Sequence, residues 1–263
     1  MDRNQHADAL AASASLKREQ ITTGDFVLTA FVRVTQSHAP IDVYIEGDGL
    51  AWVSRTEPSL DPTPLDPIGL ALAAVDPAPN VAYIARPCQY TPMALNSRCA
   101  ITWWTDKRFS AEVVASMNEA VDQITARVPG QRVNLTGYSG GGAIAVLLAA
   151  QRRDIGLLRT VAGNLDDEYV NALHHVSAMP GSLNPIDYAT RVNLLAQVHF
   201  SGANDFVIPP EVARRFIGAE GSTGCARVQI VPGMTHTGEW QKVWLQLLGV
   251  LPTCMTNGGM NAD

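Results

Sequence analysis

The sequence has no apolar run longer than Ala143 to Ala150, far too short to span a bilayer. It has no block of Lys or Arg, and 19 basic against 25 acidic side chains leave a net charge of -6. Such a balance makes a poor electrostatic partner for nucleic acid or for anionic lipid. None of the four cysteines has C-x-x-C spacing, which argues against a zinc site or a redox dithiol. No Gly-Lys-Ser/Thr is present, so there is no P-loop. Residues 1–20 lack a basic segment followed by an apolar one, so no signal peptide is read; in an exported protein this chain would be the mature part. Charged residues make up only 17%, but 46% are hydrophobic, an ordinary share for a globular protein. With 263 residues the chain can bury a sizeable core unaided.

Cys88, Cys99, Cys225 and Cys254 are even in number and lie in loop-like stretches. They permit three disulfide pairings, among them Cys88 with Cys99 and Cys225 with Cys254. The sequence does not choose between these, and four buried thiols would suit a reducing compartment.

The opening stretch is polar and rich in Ala and Ser, so residues 1–20 read as a flexible arm. Ile21 to Val34 reads as two strand pieces around Gly24-Asp25, and Ile41 to Ile45 as a short strand. Asp66-Pro67 opens a helix over Ile68 to Val75. Alternation then becomes regular. Strands are predicted over Val81–Ala85, Val133–Tyr138, Leu157–Ala162, Gln197–Phe200 and Val228–Val231. Between and after them come helices at Ser110–Val128, Gly141–Arg152, Pro209–Ile217 and Trp240–Leu248. In the first of these, Ser110 is a good N-cap, and Val113, Met117, Val121, Ile124 and Val128 form one apolar face. Steady alternation implies a mostly parallel sheet covered on both faces, with an antiparallel N-terminal edge. One domain over residues 21–255 is expected, with an excursion or small cap at 164–192 and a flexible tail at 256–263.

The strongest local signal is Gly137-Tyr138-Ser139-Gly140-Gly141, a G-x-S-x-G between a predicted strand and a predicted helix. A nucleophilic serine must project from a tight, strained turn, and small residues two before and two after it let neighbouring backbone approach. The helix N-terminus beneath favours developing negative charge. Gly140 to Ala145 also fits the dinucleotide pattern G-x-G-x-x-A, but several elements precede it and no strand ending in an acid follows at the right distance.

A serine nucleophile needs a base, and the base an orienting acid. Of the histidines after Ser139, His199 lies within a strand and reads as a core residue, and His174-His175 as solvated. His236 lies in the loop after the last strand and is the expected base. Asp205 follows the preceding strand in Gly202-Ala203-Asn204-Asp205 and is the expected acid, with Asp166 or Asp167 as the alternative one strand earlier. An oxyanion needs two backbone N–H donors. Gly140 supplies one, and Asp48, in Glu46-Gly47-Asp48-Gly49, is the candidate for the other. Tyr138 beside the serine and Trp104 in a loop are candidate pocket residues, and Tyr90, Trp52 and Trp103 could also reach the mouth, although each reads as well as packing.

Taken together these residues resemble the α/β-hydrolase superfamily over residues 21–250. The resemblance implies an eight-stranded, mostly parallel sheet with flanking helices, and a Ser139–His236–Asp205 triad. It departs from many members in having Glu46-Gly47 where they have His-Gly. The chain also resembles a group of bacterial exported or lipoprotein-type α/β-hydrolases without a settled substrate. The shared pieces include Ile45-Glu46-Gly47-Asp48-Gly49, Arg86-Pro87-Cys88-Gln89-Tyr90, Trp104-Thr105-Asp106-Lys107-Arg108-Phe109 and Val161-Ala162-Gly163-Asn164-Leu165-Asp166. That likeness implies export, periplasmic or lipid-anchored, with a cytoplasmic location as the alternative. It also implies a Cys88–Cys99 disulfide.

The expected activity is that of a serine hydrolase on small-molecule carboxylic esters or related acyl compounds, with no metal or organic cofactor implied. Thioesterase and peptidase chemistry would use the same triad. The different-class alternative is a binding protein on an inactive hydrolase scaffold. Nothing in the sequence fixes an oligomeric state.

Overall fold

The computed structural model describes residues 2–221, 225–252 and 254. Eight strands form one sheet: β1 (Lys17–Thr22), β2 (Val27–Val34), β3 (Ile41–Ile45), β4 (Asn80–Ile84), β5 (Val133–Tyr138), β6 (Ile155–Val161), β7 (Gln197–Gly202) and β8 (Ala226–Val231). Their order is β1-β2-β4-β3-β5-β6-β7-β8. β1 and β2 pair antiparallel, as do β2 and β4, and all other pairs are parallel. The tight Gly24-Asp25 connection permits only the antiparallel edge, whereas the later strands are separated by helical crossovers.

Alternation along each strand divides the core in two. From β3, Ile41, Val43 and Ile45 face one side while Tyr44 faces the other; from β4, Ala82 and Ile84 oppose Val81 and Tyr83. The first side is covered by α3 (Ala111–Thr125), α4 (Gly140–Ala149), α6 (Ala189–Val192) and α7 (Pro210–Glu220). The second is covered by α1 (Arg3–Ser13), α2 (Ile68–Val75) and α8 (Trp240–Leu248). Ser110 caps α3 by accepting the Val113 N–H, and the whole predicted face of that helix is buried. α4 is buried along its full length, which explains its unbroken apolar sequence.

The N-terminal arm is a correction. Residues 3–13 form α1, capped by Asp2, and β1 begins at Lys17. Ala7 and Ala11, four residues apart, are buried against the second core. Small side chains pack closely here without giving an apolar period, so the pattern reads as featureless. Arg3 pairs with Asp61 at 2.6 Å and Arg18 with Asp8 at 2.6 Å, which ties this segment to the domain. The excursion at 164–192 holds α5 (Asp167–Leu173), a single 3-10 turn at Pro185–Tyr188, and α6. The tail expected at 256–263 lies outside the described residues. The cysteines are paired Cys88–Cys99 and Cys225–Cys254.

Register brings the site together. Ile45 lies opposite Gly137, Tyr138 opposite Val161, Val161 opposite Phe200, and Gly202 opposite Val231. The parallel strands therefore end at one edge, and the segments that follow β3, β5, β6, β7 and β8 meet there. Open α/β sheets bind their ligands at that edge.

Candidate active site

Ser139 sits at the junction of β5 and α4 with φ 51 and ψ −120. A positive φ is uncommon for a residue with a side chain and persists only where the surroundings impose it. Here Ser139 N–H donates to the Val161 carbonyl at 2.9 Å, and its own carbonyl accepts from Gly142 and Asn164 at 2.9 and 3.0 Å. The glycines are required by close approach. A Cβ on Gly137 would lie 2.1 Å from the Gly141 carbonyl oxygen, and one on Gly141 2.3 Å from that of Ile45.

Ser139 Oγ is 3.0 Å from His236 Nε2, and His236 Nδ1 is 2.9 Å from Asp205 Oδ2. The Asp205 carboxylate is fully buried, and its Oδ1 accepts the N–H groups of Val207 and Ile208, each at 2.8 Å. Those bonds fix its direction toward the imidazole. The His236 carbonyl accepts from Tyr138 Oη and Trp240 Nε1, both at 3.1 Å, so one residue from β5 and one from α8 hold the loop. Sequence reasoning placed all three side chains, and the structure brings them together. Asp166 is engaged elsewhere: it caps α5 through the Tyr169 N–H and pairs with Arg215 at 2.8 Å. His199 is a core residue as expected, its Nδ1 2.9 Å from Thr160 Oγ1, and burial lowers its pKa to about 3.

The departure at Glu46 has a structural reason. Its buried carboxylate accepts Gly47 N–H at 3.0 Å, Gly69 N–H at 3.1 Å and Tyr83 Oη at 2.9 Å. Burial pushes its pKa up, and these donors oppose that rise. Gln89 Nε2 holds the Gly47 carbonyl at 3.0 Å. With the Gly47 N–H occupied, the next N–H along, that of Asp48, makes no hydrogen bond among the described residues, and neither does that of Gly140. These are the two donors singled out for an oxyanion. The Asp48 side chain turns to Arg86 and Arg108, at 3.3 and 3.4 Å. Both arginines belong to stretches quoted above, but nothing local in the sequence shows that positions 48, 86 and 108 converge.

Tyr138 flanks the site, its ring centroid 5.6 Å from that of His236, and burial raises its pKa, so it acts as a hydroxyl donor. Trp104 does not stand at the mouth. It is buried in the first core with its indole N–H on the Ser59 carbonyl at 3.0 Å, a packing position, and Trp103 and Tyr90 are buried too. Among the exposed apolar side chains, Phe206 and Val207 directly follow Asp205, and Trp52 and Val53 lie on the segment that follows Asp48. Arg55 donates to the His174 carbonyl at 3.3 Å, and His174 Nε2 to that of Val207 at 2.7 Å, which ties their loops together across the C-terminal end of α5.

No protein-family model matches the chain, and no curated protein matches it. Solved structures do. The esterase Pf2001 of Pyrococcus furiosus superposes with a TM-score of 0.62 at 13% identity, over 90% of this chain and 92% of that one. Est1E from Butyrivibrio proteoclasticus gives 0.61 at 14%, over 88% and 95%. A puromycin-hydrolyzing peptidase of Mycobacterium tuberculosis gives 0.62 at 15%, over 90% of this chain but 38% of that one. These likenesses establish the α/β-hydrolase fold.

Proposed function

We propose that this α/β-hydrolase-fold chain is a serine hydrolase that cleaves carboxylic esters of small molecules through an acyl-enzyme. The observation that carries the proposal is the continuous line from Ser139 Oγ to His236 to the buried Asp205, beside two unoccupied backbone N–H groups. His236 takes the Ser139 proton as the oxygen attacks the ester carbonyl. Asp205 holds the imidazole tautomer and stabilises the imidazolium. The N–H groups of Asp48 and Gly140 receive the oxyanion. His236 then returns the proton to the leaving alcohol, and water cleaves the acyl-enzyme by the reverse sequence. That two of the matched solved structures are esterases supports this chemistry for the same fold. The exposed apolar residues on the segments that follow Asp48 and Asp205 favour uncharged esters as first probes.

Triad side chains out of reach of one another would have favoured the inert-scaffold alternative; the 3.0 and 2.9 Å contacts support the hydrolase reading instead. We also propose that the protein works in an oxidising, extracytoplasmic compartment, which the two disulfides support. Among the described residues, no helix is long and apolar enough to cross a membrane. The test of function is p-nitrophenyl acetate hydrolysis. A burst of p-nitrophenol stoichiometric with enzyme, abolished in Ser139→Ala, is the expected result. Steady hydrolysis that survives Ser139→Ala would contradict the proposal.

A further inference from the structure

Asp48 faces a conflict. Its N–H is one of the two proposed oxyanion donors, and its carboxylate lies beside Gly140, which carries the other. A Cβ built on Gly140 would come within 2.0 Å of Asp48 Oδ1. A free carboxylate so close to a forming negative charge would oppose it, most strongly where water is scarce. The carboxylate is not free. Arg86 Nη1 lies 3.3 Å from Oδ1 and Arg108 Nε 3.4 Å from Oδ2, so each oxygen faces its own guanidinium. The side chains of Arg86, Arg108 and Asp48 are only 5%, 15% and 20% exposed, so screening is weak.

The arginines are themselves fixed. Their guanidinium carbons lie 5.4 and 5.3 Å from the Phe109 ring centroid. Arg86 also donates to the Arg108 carbonyl, so the first arginine holds the backbone of the second. Gln89 braces the Arg86 loop and the Gly47 carbonyl together, through Arg86 N–H to Gln89 Oε1 at 3.0 Å and Gln89 Nε2 to Gly47 at 3.0 Å. Two guanidinium groups thus face the one Asp48 carboxylate. The charge of Arg108 also opposes the rise in Asp167 pKa, so it reaches the segment after β6 as well as the one after β3. Those two strands flank β5, at whose end Ser139 sits.

We propose that Arg108, backed by Arg86, is a positioning residue for the oxyanion hole. It holds the Asp48 carboxylate off the forming anion and fixes the Asp48 peptide so that its N–H points into the hole. This role presupposes the serine-hydrolase chemistry proposed above for the same site.

A double-mutant cycle on p-nitrophenyl acetate tests it, with Arg108→Gln, Asp48→Asn and the pair combined, and melting temperatures as the folding control. Arg108→Gln is expected to lower kcat by about tenfold or more with little change in KM. Arg108→Lys, which keeps the charge, should recover part of that loss. In the Asp48→Asn background, where no carboxylate needs holding, the same Arg108→Gln change should cost less than about threefold. Equal losses in both backgrounds would overturn the role, because Arg108 would then act on something other than Asp48. A loss confined to KM would also overturn it and make Arg108 a substrate ligand. Should Arg108→Gln not fold, the cycle built on Arg108→Lys applies the same criterion. If the unsubstituted protein neither hydrolyses the ester nor takes up a fluorophosphonate on Ser139, the hydrolase reading itself falls. If it does both and the cycle is additive, only the role of Arg108 falls.

Discussion

At the residue scale the chemistry depends on a few contacts whose removal has separable effects. In the proposed mechanism Asp205 fixes a tautomer, so Asp205→Asn should leave the fold intact and reduce kcat by about 10⁴-fold, as expected when the orienting acid is lost. Melting temperature and kcat measured on the same preparation check this; a loss below about tenfold would remove Asp205 from the triad. Gly140 is constrained differently. Any side chain there meets the Asp48 carboxylate, so Gly140→Ala must push that carboxylate from its place beside the proposed oxyanion donors. A drop in kcat of about 10²-fold or more is expected, read from steady-state ester hydrolysis. The proposed triad was legible because each member follows a predicted strand at the same sheet edge. The arginine clamp was not, since its three members lie far apart in sequence and none carries a spacing signature. Glu46 was legible only as a departure; its three bonds depend on Gly69 and Tyr83, which no local pattern links to it.

At the scale of elements, most of the sheet was readable because its strands are short apolar runs bounded by turns, alternating with helices of which α3 carries a clear apolar face. Helix α2 and strands β3 and β5 fall where the pattern predicts. The miss was α1. Its stabilising contacts are two alanines and the ion pairs of Arg3 and Arg18, and neither feature contributes an amphipathic signal. The two disulfides brace different elements, and this separates their effects. Cys88–Cys99 closes a loop with sequence separation 11 that contains Gln89, and Arg86 lies two residues before it, so the bridge anchors the segment that contacts Gly47 and Asp48. Replacing both of its cysteines with alanine should cost about 3 kcal/mol of stability and lower kcat as well. Replacing Cys225 and Cys254 should cost a similar stability, with kcat unchanged. Denaturant midpoints and ester kinetics on the two double variants distinguish the outcomes; equal kcat losses would show that the first bridge has no special link to the site.

At the scale of the whole molecule, buried ionisable groups set the response to pH. His199 is kept neutral by burial, its pKa lowered from 6.5 to about 3. The unfolded chain takes up a proton there below about pH 6.5 while the folded chain does not, so its contribution to stability is complete above that pH and is lost as pH falls toward about 3. Asp42 and Asp167, raised to about 6, and Glu220, raised to about 7, act in the opposite sense, chiefly through burial. They remain protonated longer in the fold, so their contribution is present below about pH 4 and is lost as pH rises through 6 to 7. His199→Gln isolates the contribution of the histidine. The stability difference between it and the unsubstituted protein should shrink as pH falls from about 6.5 toward 4, measured by urea unfolding at each pH. A difference independent of pH would contradict the assignment.

The central claim is that this sheet edge activates Ser139. The most direct measurement is intact-protein mass after exposure to a fluorophosphonate, followed by peptide mapping, with Ser139→Ala as control. One adduct per chain, located on Ser139 and absent from the control, is the predicted result. No adduct, or equal labelling of the control, would contradict the account.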